Sequence, residues 1–66
     1  MKMDVITQLS NADLLERLEE EKKQLTRLRL NHTVSPLENP HQIQQYRKII
    51  ARLMTEVRKR QLEGSL

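Results

Sequence analysis

Six basic side chains fall between positions 40 and 62: Arg47, Lys48, Arg52, Arg58, Lys59 and Arg60. They stand against a single acid, Glu56, so the stretch carries a net charge of +5. At about 100° per residue, Lys48, Arg52 and Lys59 share one narrow arc of a helix, with His41 heading the same line. Arg47 and Arg58 form a second track along one edge of the apolar face. Bases fixed at helical spacing on a rod can follow phosphates, and arginine's planar fork suits bidentate phosphate contact. The interspersed Gln44, Gln45 and Thr55 can donate to phosphate or ribose hydroxyls. The competing reading is an ordinary solvated face, but such a face mixes signs, and here one acid opposes six bases. Tyr46, the sole aromatic, is expected in the core. That leaves no stacking platform, so contact would be to backbone and shape rather than to splayed bases.

Other chemistry is poorly supported. There is no cysteine, hence no disulfide and no thiolate metal site. His32 and His41 lack ligand partners at metal spacing. No nucleophile–base pair, glycine-rich phosphate loop or carboxylate pair suggests catalysis. Neither an enzyme, a cofactor nor a small-molecule substrate is expected. A chorismate-mutase-type helical enzyme would need a third long helix and a dimer. Toward the end of the first long helix, Arg27 and Arg29 with His32 can extend the basic surface, although Arg27 is equally placed to pair with acids near Lys23.

The elements that must position these bases are two amphipathic helices. Ser10 is an N-cap, with Asp13 in the first turn where the helix dipole favours an acid. The first long helix is expected over about 11–31. Leu14, Leu18, Leu25 and Leu28 form its apolar stripe. Glu21 interrupts that stripe and is expected to lean to the rim and pair with a base. Pro36 ends the helical pattern and biases Ser35 to extended geometry, so residues 31–39 form the hairpin loop, with Val34 and Leu37 closing the open end of the core. Asn39, Pro40 and Gln42 then read as an N-cap, a first helical position and a capping-box partner. Ile43, Tyr46, Ile50, Leu53 and Val57 recur at three, four, three and four, a seven-residue seam. Ile49 and Met54 widen it at either edge, and Gly64 ends the helix or lies just past it. This second helix is expected over about 40–62. Met1 to Leu9 are expected to supply a short leading turn of helix. The fold class is all-α, a single domain over 1–66, built as an antiparallel two-helix hairpin with a short N-terminal helical turn.

Sixty-six residues bury only a thin core, and with no staple the balance of burial against chain entropy is close. Marginal stability in isolation follows. With 12 Lys and Arg against 9 Asp and Glu, and the excess concentrated in the second half, a polyanion is the natural partner. No apolar run approaches the ~20 residues that span a membrane, and MKMDVITQLS lacks a signal-peptide core. A cytoplasmic location, with no membrane partner, is expected. The seven-residue seams admit a second reading, a coiled-coil protein-interaction module pairing between chains.

At Leu37–Leu53, LENPHQIQQYRKIIARL, the chain resembles the large-subunit ribosomal protein L twenty-nine family. That family carries a loop ending in L-E-N-P, then an apolar residue, then R-K followed by I-A-R and an apolar residue. Here these are Leu37 to Pro40, Ile43, Arg47, Lys48, Ile50, Ala51, Arg52 and Leu53. Ser10, Leu14, Leu18, Lys22–Lys23, Leu25, Leu28 and Arg29 fall where the family has S, L, L, K-K, L and L-R. The resemblance spans about residues 2–61. Gln44 stands where arginine is usual, Ile49 where a small or acidic residue is common, Thr26 and Leu30 where phenylalanines are common, and Glu21 where the seam has leucine. The start at Met1 and the short length are similar to a bacterial member.

The resemblance implies a structural, non-catalytic protein of the large ribosomal subunit. It would be bound to large-subunit rRNA near the mouth of the polypeptide exit tunnel. Its neighbour would be the ribosomal protein that docks chaperones and targeting factors, and those factors are possible partners too. The rRNA contacts carried over are Arg29, Arg47, Lys48 and Arg52. Lys59 continues their track, and Arg58 lies on the parallel edge.

Overall fold

The computed structural model describes residues 1–34 and 41–66, and the side chains of 1–31 and 41–66. Three helices follow one another: α1 (Met3–Thr7), α2 (Asn11–Val34) and α3 (His41–Leu62). The two long ones lie antiparallel. Leu18 lines a groove with Met54, Val57 and Arg58 near one end, while Leu28 lines another with Gln42, Gln45 and Tyr46 near the other. The result is a rod 43 Å long and 17 by 16 Å across.

Local signals place the ends. The Ser10 hydroxyl accepts from the Asp13 amide at 3.1 Å, and the Ser10 carbonyl takes the Leu14 amide. That is the expected N-cap. α2 runs three residues beyond its expected end at Asn31, to Val34. Nothing in Asn31–Val34 breaks a helix, and the first position that Pro36 disfavours is residue 35. The loop therefore starts later than residue 31. The expected Asn39 and Pro40 cap, and the closing role given to Leu37, lie outside the described residues, as does the Val34 side chain. α3 closes as a Schellman turn: Ser65 N–H donates to Arg60 O, Gly64 N–H to Gln61 O, and Gly64 takes φ +75°.

The core is one apolar cluster. Leu14, Leu18 and Leu25 of α2 bury against Ile50 and Leu53 of α3, with Ile43, Tyr46, Ile49 and Val57 packed on its margin. Ile6 joins them from α1, fully buried. α1 is thus the expected short N-terminal helical turn, and it packs against α3. The two edges of the α3 seam differ. Ile49, which lines a groove with Arg17, Glu21 and Gln24 of α2, is half-buried, whereas Met54 on the other edge is half exposed.

Glu21 does pair with a base, its carboxylate 2.9 Å from Arg17 Nε one turn earlier. It does not lean to the rim, however. It is buried at 7% exposure, in the line of the leucines, and the partly exposed Arg17 reaches in to it.

Candidate nucleic-acid interface

α3 presents its bases as a consequence of how it is seated. With Ile50 and Leu53 pressed into the core, the side chains about 180° away must face solvent. Lys48, Arg52 and Lys59 are all exposed there, as are His41 and Thr55. From Lys48 to Lys59 the track is about 16 Å long at 1.5 Å per residue. Arg47 and Arg58 are also exposed. They lie on the open edge of the seam, where Arg58 borders the groove lined by Leu18, Met54, Val57 and Gln61. Arg29 is exposed near the far end of α2. The structure thus brings Lys48, Arg52 and Lys59 together on one face and sets Arg47 and Arg58 on an adjacent one. Arg29 lies on the other long helix.

Two of the sequence-derived assignments change. Thr55 donates its hydroxyl hydrogen to Ala51 O at 2.8 Å. It can accept from a ligand but has no donor left for a phosphate. Arg52 is not simply solvated, since its Nη1 donates to the Met1 carbonyl at 2.7 Å. A guanidinium carries five N–H donors, so this bond leaves most of the fork available.

The sixth base of the stretch, Arg60, belongs to the fold. It is buried at 8% exposure beside Glu56, itself 4% exposed, with Nε 2.9 Å from the Glu56 carboxylate. Its Nη1 donates to Asn11 Oδ1 and its Nη2 to Thr7 O. Asn11 in turn donates to Ser65 O at 2.6 Å. This network ties both ends of the chain to the start of α2. It was legible in part, because Arg60 falls three residues after Val57 and so continues the three-four alternation of the seam. The electrostatic consequence bears on the interface. The one acid of α3 is consumed internally, leaving five exposed bases on α3 and no exposed acid within it.

The outer face of α2 is different. Glu16, Glu19, Glu20, Lys23 and Arg27 line one shallow surface there, and Lys22 lies 3.9 Å from Glu19. That is the mixed-sign pattern of a solvated face. Among the described residues no three His, Cys, Asp or Glu side chains converge as metal ligands, and no helix is long and apolar enough to cross a membrane.

Residues 4–60 match the family model described as Ribosomal L29 protein.

The chain belongs to the ribosomal L29 protein family.

The matched span takes in the whole of α2 and nearly all of α3. Curated relatives of this family, each named large ribosomal subunit protein uL29, align along almost their full length. The protein of Bacteroides fragilis is 48% identical over 64 residues, covering 97% of this chain and 98% of its own. That of Parabacteroides distasonis is 45% identical over 64 residues, with 97% and 98% covered. That of Flavobacterium johnsoniae is 43% identical over 63 residues, with 96% and 100% covered. No solved structure matches the chain. A member of this ribosomal-protein family is a structural protein rather than an enzyme, and the relatives named are bacterial.

Proposed function

We propose that this chain is a structural constituent of the large ribosomal subunit that holds large-subunit rRNA through the exposed bases of α3. Membership of the L29 family supports the first part. The second rests on one observation above all: the only acid within α3 is buried against Arg60, so the helix offers rRNA a face of Arg47, Lys48, Arg52, Arg58 and Lys59 with no anion to repel phosphate. Arg29 adds a contact from α2. The hairpin acts as a clamp in which the apolar seam keeps two rods together while the bases neutralise phosphates and release counterions. Its place is on the cytoplasmic ribosome near the mouth of the polypeptide exit tunnel, beside a neighbouring ribosomal protein and within reach of chaperones or targeting factors that work there.

The coiled-coil reading loses support, because the seams of α2 and α3 are spent on each other within one chain. Arg47→Glu with Lys48→Glu tests the proposal, since both side chains are exposed and neither is in the core. Expected is loss of the variant from purified large subunits, with far-UV helicity of the free protein kept. Wild-type occupancy would overturn the rRNA-binding role of α3.

A further inference from the structure

We infer that α1 is a third element of the rRNA-binding surface, which holds the Arg52 fork in place and contributes Lys2 as an additional phosphate contact. The inference rests on the reading of α3 as the rRNA-binding helix.

A five-residue helix has no stability of its own. α1 exists because Ile6 is fully buried in the common core and because Arg60 Nη2 donates to Thr7 O. That docking fixes the direction in which the preceding residues run. It carries the Met1 carbonyl to Arg52, whose Nη1 donates to it at 2.7 Å across 51 residues of sequence. Arg52 is exposed, so this bond does not shut it away. It pins one side of a mobile side chain and leaves the remaining N–H groups facing solvent, where a phosphate can take two of them. Arginine gives up considerable rotamer freedom on binding. At Arg52 part of that loss has already been taken on folding.

Lys2 follows from the same contact. With the 2.7 Å bond to Met1 O, standard bond lengths put its Cα within about 5.5 Å of Arg52 Nη1. The residue is extended (φ −85°, ψ 152°), is exposed, and is anchored to α1 because its carbonyl accepts the Val5 and Ile6 amides. Its exposed, unbranched side chain can therefore bring the ammonium to within about one Debye length of the Arg52 guanidinium at physiological salt. Lys48 lies one turn away on α3. Three bases from two elements share this corner. The one acid of α1, Asp4, is two residues before Ile6, about 200° around the helix and so on its outer side.

The test is binding of the full chain to purified large-subunit rRNA over a series of salt concentrations, with helicity followed by circular dichroism. Lys2→Gln should weaken binding several-fold at low salt and reduce the slope of log affinity on log salt by about 0.7–0.9, one phosphate's worth, as Lys48→Gln should. Lys23→Gln, on the mixed-sign face of α2, should change neither. Ile6→Ala, which loosens α1 without removing a base, should weaken binding in a Lys2→Gln background and much less in a Lys2→Gln, Arg52→Gln background. Wild-type affinity and slope for Lys2→Gln, with Lys48→Gln impaired, would overturn the Lys2 contact while leaving the reading of α3 intact. Equal losses from Ile6→Ala in both backgrounds would overturn the positioning of Arg52. If Lys48→Gln also binds like wild type, the reading of α3 fails and the inference with it.

Discussion

The Arg60 guanidinium lies 2.9 Å from the Glu56 carboxylate, one turn earlier on α3, and both side chains are buried. The pair is not fully satisfied, because Glu56 Oε2 is buried without a hydrogen-bond partner. Such a pair adds little over apolar packing, yet breaking it leaves an uncompensated buried charge. Arg60→Met alone should therefore destabilise the free protein by about 3–5 kcal/mol, enough to unfold much of so small a chain. Glu56→Leu with Arg60→Met should recover a large part of that loss. Urea titration followed by circular dichroism reads both variants. A double variant as unstable as the single one would show that the bonds to Asn11 and Thr7 matter more than the charge balance.

Glu21 presents the same physics on α2 with a different outcome. Its carboxylate is buried among the leucines, while its partner Arg17 is about half exposed. Removing the buried charge in favour of a branched apolar side chain fills the stripe. Glu21→Leu should raise stability by about 1–2 kcal/mol, in line with replacements of buried ions by apolar residues. The midpoint of a thermal melt should rise accordingly; a fall would mean the pair is a net stabiliser.

Gly64 has φ +75°, and a Cβ built there meets nothing within 4 Å. The penalty of a side chain at this position is thus one of backbone conformation alone, about 1–2 kcal/mol. Gly64→Ala should lower stability by that amount, and Gly64→Asn by less, since Asn tolerates the left-handed region. Loss of the turn also frees Ser65, whose carbonyl Asn11 holds. Faster amide exchange at residues 60–65 in the Ala variant would report it, and unchanged exchange would contradict the assignment.

Much of this architecture was legible in the chain. The three-four alternation from Ile43 to Val57 and Leu14, Leu18 and Leu25 of the α2 stripe do pack on each other, because each apolar stripe needs another to cover it. Ser10 and Gly64 act where their chemistry suggests. What escaped was long-range. Arg60 reads locally as one more base, and only the fold brings it to Asn11 and Thr7. α1 is too short to show a period, so its packing through Ile6 left no pattern to find. The contact of Arg52 with Met1 follows from that packing. The exposed bases were found by type and spacing, but the donor lost at Thr55 to Ala51 depends on a side-chain rotamer.

The proposed role of α3 as a phosphate-binding helix is tested most directly by the salt dependence of binding. With five exposed bases on α3, the affinity of the full chain for purified large-subunit rRNA should fall steeply with salt. At about 0.7–0.9 per neutralised phosphate, the slope of log affinity on log salt should be about −3 or steeper, and Arg47→Glu with Lys48→Glu should flatten it. A slope near zero, or the same slope for the wild type and the double variant, would contradict the account.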